Sequence, residues 1–579
     1  MLQGNWSSSS GWALRAAAVG RWLWRWRWLI LMNIYLVSPV LLYEGRLRDK
    51  TVFFTLPASI LGLLAMQLVG ARRVWITHAC LLPFYLTASI DLFTIVNYQT
   101  RFASSMIVIV AGNLENAREF LEADFTRTVG SVAIVLAAFS LCLVKIRRLR
   151  VTVPRSFAVL PLLGLALIYT AVRLYFGLWS LVAMNDRTSP FGIFSQTYLT
   201  VGLTQEELRL RKRGESFEFS ASRRAAPAGS ETYVLVVGES ARRHNFGLYG
   251  YGRDTTPLLS RTSNLLAFRD VLTQDAQTKV SVPLILTRGS IENQQRAARE
   301  KSIITLFHDV GFRTYWLSTQ QREIAMAAIS HYTDEADVVR FFERQHDIVL
   351  INAMREILTK EGDRPQKRFF VLHTLGSHFN LTSRYPREFA RYPDGIGADI
   401  DGSSSMMSIY QYSKASSGTD HAELVNAYDN SIVYTDYVLS QLIDLLRERP
   451  GPTAMLYVSD HGDNLRDDGR NLFGHAHNNE YDLPIPLLFW YSDDYARQFP
   501  DNIATARLNL THPLTTRSVF YSLAQMAAIS INDQDLSRLS VFSADLNHYR
   551  RMVGQPTPFD FDEWLARTGT TIPSGKVPQ

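Results

Sequence analysis

The run Ser459-Asp460-His461-Gly462-Asp463 follows an apolar stretch, Ala454-Met455-Leu456-Tyr457-Val458, that reads as a buried strand. A carboxylate and an imidazole at the end of such a strand are suited to holding a divalent metal. Two other strand-like runs end in groups that could complete the site. Tyr233-Val234-Leu235-Val236-Val237 leads into Gly238-Glu239-Ser240, and residues 369–373 end on His373, with Gly376-Ser377-His378 shortly after. In open α/β sheets ligands gather beyond the carboxyl ends of the strands. Glu239, Asp460 and His461 are therefore expected to form a mixed oxygen and nitrogen site suited to Zn2+ or Mn2+. Thr278-Lys279-Val280-Ser281-Val282-Pro283 offers two hydroxyls as nucleophile. A hydroxyl beside a divalent cation ionises far more readily than a free one, and the residues alone do not choose between Thr278 and Ser281. Each group also has a plain structural reading: Glu239 as a carboxylate at a helix N-terminus, Thr278 as a cap, Asp460-His461 as a strand-end turn. Their joint occurrence is what argues for chemistry.

The elements that must position these groups alternate. Apolar runs at 233–237, 369–373, 455–459 and 485–490 are separated by helical patterns such as 303–309 and 432–446, which predicts an α/β/α domain with a mostly parallel sheet over residues 233–546. Residues 186–232 read as an interfacial helix and a flexible linker. Residues 401–420, rich in Ser and Gly without periodicity, read as a mobile loop. The tail, 547–579, holds Pro556, Pro558, Pro573 and Pro578 and few apolar residues, and is expected to be poorly ordered.

Hydrophobic residues make up 47% of the 579, an average over two unlike parts. Residues 1–185 carry five apolar stretches, near 28–42, 52–69, 74–96, 129–144 and 157–184, each a candidate membrane span. The basic residues Arg15, Arg21, Arg25 and Arg27, then Arg72 and Arg73, then Lys145, Arg147, Arg148, Arg150 and Arg155 fall on one side of such a bundle. That side is cytoplasmic by the positive-inside rule, and the large domain lies outside; Arg46, Arg48 and Lys50 are a mild exception. The Trp and Arg alternation over 21–28 fits an interfacial anchor, and the loop 106–125 could lie on the membrane surface as a helix. A net charge of +6 is small for this length, and the basic residues cluster beside apolar spans, so no nucleic-acid partner is expected. Cys80 and Cys142, the two cysteines, both fall inside apolar spans, which excludes a disulfide in the soluble part.

The stretches 234–242, 248–259, 278–283, 372–378, 428–437 and 458–463 resemble, in order, those of the membrane-anchored phosphoethanolamine transferases of Gram-negative bacteria, in the alkaline phosphatase and sulfatase superfamily. The five-span N-terminal region matches as well. The resemblance implies an inner-membrane protein with a periplasmic catalytic domain, acting as a monomer. It implies one tightly held zinc on Glu239, Asp460 and His461, with a second, weaker metal in some members. Thr278 is then the nucleophile, also touching that metal. His378 binds the phosphoryl group or the second metal, and His475 is the last such histidine, with His477 a close rival. Residues 428–436 read mainly as a packed helix, with Asn430 near the substrate, and no direct metal role is expected of Asp463. The implied reaction moves phosphoethanolamine from phosphatidylethanolamine onto Thr278, with release of diacylglycerol. An envelope acceptor, whether lipopolysaccharide core, lipid A or periplasmic glucan, then takes it. The lipid A enzymes carry cysteines flanking the nucleophile loop, and this chain has none there, which places it in the cysteine-poor branch. A phosphoglycerol transferase using phosphatidylglycerol is the alternative. A sulfatase activity is disfavoured because Ile285 stands where that motif needs Arg, and a non-catalytic sensor because no ligand is lost. Arg242, Arg243 and His244 read as solvated charges.

Overall fold

The computed structural model describes residues 9–43, 52–69, 73–98, 125–149, 155–176, 214, 216–223, 227, 229–320, 329–342, 345–362, 366–378, 381–394, 421–468, 472–555 and 557–572. The surface helix expected at 106–125 and the loop at 401–420 lie outside these residues but for Phe125. The chain divides into two compact units, Met1–Gln205 and Glu206–Gln579.

The first unit is helical: α1 (Ser9–Tyr43), α2 (Val52–Val69), α3 (Val74–Cys80), α4 (Leu82–Tyr98), α5 (Phe125–Ile146) and α6 (Val159–Phe176). Helix α1 packs on α2, α4 and α5, and α2 packs on α6. Leu36, Val40, Ala58, Leu63 and Ala88 are buried between them, while Leu31, Ile34, Ile134, Val144 and Leu167 are exposed. Helices apolar on both their inward and outward sides are a different object from the amphipathic helices of a water-soluble bundle. Among the described residues no helix is long and apolar enough to cross a membrane. The stretch read from sequence as one helix over 74–96 is broken at Leu81. Pro83 follows at once, and without an N–H it cannot continue the ladder of α3.

The second unit is built on a seven-stranded sheet, and its elements run β1 (Glu231–Gly238), β2 (Leu265–Phe268), α7 (Thr278–Leu286), α8 (Ile303–Asp309), β3 (Arg313–Ser318), β4 (Val338–Phe341), α9 (Ile348–Glu361), β5 (Lys367–His373), α10 (His421–Arg447), β6 (Thr453–Ser459), β7 (Leu487–Tyr491) and α11 (Arg517–Met526). The strand order is β2-β7-β6-β1-β5-β3-β4. Strand β7 runs antiparallel to both of its neighbours, so the sheet is mixed, with the other six strands sharing one direction. Alternate residues of β1 enter different cores. Tyr233, Leu235 and Val237 pack with Val282, Ile285, Phe307 and Phe520 from α7, α8 and α11. Val234 and Val236 pack with Leu350, Met354, Tyr428 and Leu439 from α9 and α10. Strands buried on both faces are continuous apolar runs, which is why they stood out in the sequence.

The C-terminal segment differs from expectation. Far from being poorly ordered, it forms β8 (Met552–Val553) paired with β9 (Phe559–Asp560) and then α12 (Phe561–Thr568). Val553 and Phe561 are buried against Leu272, Ala276 and Leu483. Composition averaged over a Pro-rich stretch hides two well-placed apolar anchors.

Candidate metal centre and nucleophile

The register of the three central strands builds the site. Val237 pairs with His373 on one side and Val458 on the other, and Gly238 pairs with Ser459. All three strands end at one level. The Asp460 amide donates to the Gly238 carbonyl (2.9 Å), and the Ser377 amide donates to the Glu239 carbonyl (2.9 Å). Glu239 and Asp460 are thereby neighbours, although Ser240 and Asp460, which are hydrogen-bonded, stand 220 positions apart in the sequence. The turn after β5 fits tightly. Gly376 has φ +48°, and a Cβ there would lie 2.6 Å from the Glu239 carbonyl oxygen, so glycine is required on both counts.

Glu239, Asp460 and His461 are fully buried, and one ligand atom from each lies within 4.8 Å of the others. His461 Nε2 is 3.3 Å from Asp460 Oδ2 and 3.6 Å from Glu239 Oε1. The Thr278 hydroxyl lies 3.1 Å from His461 Nε2 and 3.4 Å from Glu239 Oε2. His461 Nδ1 is 2.9 Å from the Gly462 carbonyl, so its proton is donated there and Nε2 presents a lone pair to the cluster. Asp460 Oδ1 accepts from the Ser240 and His461 amides, at 3.0 and 2.7 Å, while buried Oδ2 receives no hydrogen bond. Acceptor atoms thus face acceptor atoms in a buried cluster. Four ligands held tetrahedrally at about 2.0–2.2 Å from zinc stand roughly 3.3–3.6 Å apart. The observed spacings fall on or close to that range, and the donor set suits zinc.

The electrostatics agree. Burial, with the neighbouring Asp460 charge, raises the Glu239 carboxyl well above the usual carboxylate range. Burial also raises Asp460 despite its amide donors. The His461 imidazole is pushed down to about 3 by burial and then by His475. Two carboxylates and a neutral imidazole in one buried spot gain stability from a shared cation.

A second group adjoins the first. Asp463 Oδ1 lies 3.2 Å from His475 Nδ1, and His461, Asp463 and His475 form another set with metal-ligand spacing. The His475 ring is 4.3 Å from that of His461 and 6.4 Å from that of His378. Burial would lower the His475 pKa, but the hydrogen bond and charge of Asp463, helped by Asp460 and Asp482, raise it.

Of the residues expected at the site, the fold brings together Glu239, Asp460, His461, Thr278, His475 and His378. Thr278, not Ser281, reaches the cluster: it opens α7 and is half-buried, whereas Ser281 is buried with its hydroxyl unpartnered. His475, not His477, lies beside His461; His477 is exposed, and its amide donates to Asp482 (2.8 Å). Asn430 is instead a clamp. Its carboxamide accepts from the Tyr392 amide (2.8 Å) and donates to the Tyr392 carbonyl (2.8 Å), holding the segment after β5 onto α10. Arg242 is not a solvated charge. It is buried, paired with Asp467 Oδ2 at 2.8 Å, and donates to the Asp463 carbonyl (3.2 Å). His244 is buried too. Asp463, given no part from sequence, is the partner of His475. The sequence reading also passed over Gln320, whose amide donates to Glu239 Oε2 (3.0 Å) and to the Thr374 carbonyl (2.9 Å). It follows β3, and only the strand order places it beside Glu239.

The family described as Sulfatase matches residues 231–528. The Kdo(2)-lipid A phosphoethanolamine 7''-transferase of Escherichia coli (strain K12) is 32% identical over 295 residues, 48% of this chain and 47% of that protein. The chain thus spans about half the length of that curated relative. Integral membrane lipooligosaccharide phosphoethanolamine transferase A from Neisseria meningitidis is similar in fold, with a TM-score of 0.58 and 19% identity, over 88% of this chain and 96% of that one. The C-terminal periplasmic domain of EptC from Escherichia coli, solved in complex with Zn, has a TM-score of 0.51 and 22% identity, over 60% of this chain and 96% of that one.

Proposed function

The chain belongs to the sulfatase family, and from that premise we propose that it is a zinc-dependent phosphoethanolamine transferase of the bacterial inner membrane. The donor is phosphatidylethanolamine and the acceptor an envelope glycolipid or glycan: lipopolysaccharide core, lipid A or periplasmic glucan. One observation carries the reading. A half-buried threonine hydroxyl sits 3.1 and 3.4 Å from two members of a buried set of residues with metal-ligand spacing. Glu239, Asp460 and His461 would hold the metal, with Thr278 against it. A bound zinc would supply positive charge that lowers the pKa of a hydroxyl and offsets phosphoryl charge.

The chain's own residues account for the rest. With His461 Nε2 and Glu239 committed to the metal, the Thr278 proton passes to solvent, which the half-buried hydroxyl reaches. The freed Oγ attacks phosphorus, and the bond to diacylglycerol breaks. Thr278 is the first residue of α7, where the positive end of the helix dipole favours the negative charge that builds on the phosphoryl group. His475, held by Asp463 and inclined towards its protonated form, is placed to give a proton to the departing alkoxide. In the second half-reaction the acceptor oxygen attacks the same phosphorus and Thr278 leaves, regaining its proton. His378, its ring 6.4 Å from that of His475, would hold a phosphoryl oxygen.

The first unit would anchor the enzyme through five membrane spans, with the N-terminus cytoplasmic and the catalytic unit periplasmic. The surface chemistry supports an apolar solvent. Among the described residues the exposed large apolar side chains fall between Val19 and Leu167, apart from Leu258 and Leu508.

The test uses the full chain in detergent with fluorescent phosphatidylethanolamine. Diacylglycerol release, with a protein mass increased by one phosphoethanolamine group and absent in Thr278→Ala, is the expected result. Release of diacylglycerol from phosphatidylglycerol, and none from phosphatidylethanolamine, would overturn the donor.

A further inference from the structure

We infer that the C-terminal segment, residues 551–555 and 557–568, is a strap that holds the nucleophile loop in position, the part a covalent cross-link would otherwise play. The inference rests on the reading of Thr278 as nucleophile. Residues 271–276, just before Thr278, are fully buried. A buried loop must satisfy its backbone polar groups from elsewhere. No side chain caps the start of α7, and both cysteines of the chain lie in the first unit.

The strap meets part of that need, beside the Leu483 carbonyl and the Thr516 hydroxyl, which accept from the Thr273 and Gln274 amides (2.9 and 3.3 Å). The Gly554 amide donates to the Gln274 carbonyl (2.9 Å). Val553 and Phe561 pack on Leu272 and Ala276. Arg551 ties the strap down at its base, with Nη1 donating to Asp270 Oδ1 (2.6 Å) and Nε to Asp562 Oδ2 (2.8 Å). The strap also reaches the loop through an intermediary. Asn478 Oδ1 accepts from the Ala276 amide (3.0 Å), and a Cβ on Gly554 would lie 3.3 Å from Asn478 Cγ and 2.9 Å from the Phe559 ring. Gly554 has φ +81°, so a side chain there is strained as well as crowded. The Ala476 amide donates to the Ala276 carbonyl (3.0 Å), so the same loop is stitched to the segment carrying His475. Strap, nucleophile loop and histidine loop form one packed stack; the histidine loop also pairs with Asn464-Leu465, whereas strands β1 and β6 are held by the sheet.

That separation makes the idea testable on the zinc-loaded full chain in detergent. Gly554→Ala and Phe561→Ala should speed amide hydrogen exchange over 271–280 on the order of tenfold, and leave exchange over 233–238 and 454–459 unchanged. The turnover number for transfer should fall on the order of tenfold to a hundredfold, the scale on which misplacing a reacting group acts. KM and zinc content should hold, and Phe561→Leu should recover most of the rate. Unchanged exchange over 271–280 would overturn the strap, and so would faster exchange throughout the unit, or a loosened loop with an undiminished rate. Thr278→Ala is run alongside. If that variant keeps full transfer, the nucleophile assignment fails, and the exchange data still report whether the strap holds the loop.

Discussion

At the scale of residues, the site is a set of groups that the protein alone leaves in conflict. Asp460 Oδ2 is buried without a donor, and His461 Nε2 points a lone pair at two carboxylates. Removing any ligand should therefore cost the metal first. Asp460→Asn is expected to lose bound zinc, measured by elemental analysis, with transfer falling on the order of a thousandfold or more; full zinc occupancy in that variant would contradict the assignment. Chelation gives a pH signature. Glu239 is raised above the ordinary carboxylate value in the metal-free fold, so the native state binds more protons than the unfolded one. Its contribution to stability is fully present below about pH 4.5 and is lost as pH rises through the raised value. Relative to Glu239→Gln, the chelated wild-type protein should lose melting temperature with rising pH over that interval, and zinc should offset that loss. Parallel curves with and without zinc would count against a ligand role for Glu239.

At the scale of elements, the strand ends and the turns behind them set the geometry. The parallel pairing of β1 with β5 and β6 places Glu239, His373 and Asp460 at one level, and Gly376 lets the turn after β5 close against Glu239. Gly376→Ala should destabilise the catalytic unit by about 1–3 kcal/mol, the scale of backbone strain at a positive φ. It should also weaken zinc binding, because the clash falls on the backbone of a ligand. A urea midpoint and a zinc titration read the two effects separately, and wild-type values in both would show that the turn can move aside. The apolar runs that became β1, β5 and β6 were plain in the sequence because strands buried on both faces carry no alternation. The strands' order was not, and neither was the reversal of β7. Neighbours in a sheet are chosen by helices crossing between distant segments. The C-terminal strap escaped notice for a similar reason: two short strands and an eight-residue helix anchored by Val553 and Phe561 have too few apolar residues to show a period.

At the scale of the whole molecule, the two units have separate cores. The clusters around the sheet draw on Phe217 and later residues, and those of the helical unit on residues up to Tyr169. A fragment beginning at Glu206 should fold, bind zinc and stay monodisperse without detergent, whereas the full chain should need it; size-exclusion chromatography of both decides, and a fragment that aggregates would show the units to be interdependent. Much of this architecture was written in the residues. A change from apolar to ordinary composition marked the two parts, and strand-end motifs named Glu239, Asp460 and His461 before any coordinate did. Local chemistry could go that far because a carboxylate or imidazole after a buried strand has few other places to go. It could not separate Thr278 from Ser281, or His475 from His477, where only the resemblance favoured one, since each pair shares one short segment and similar chemistry and differs in which side chain the packing turns inward. Only the tertiary structure shows which of each pair stands beside the cluster, along with the burial of Arg242 against Asp467, the pairing of Asp463 with His475 and the hold of Asn430 on Tyr392. Each depends on contacts between segments far apart in the chain, which no local pattern records.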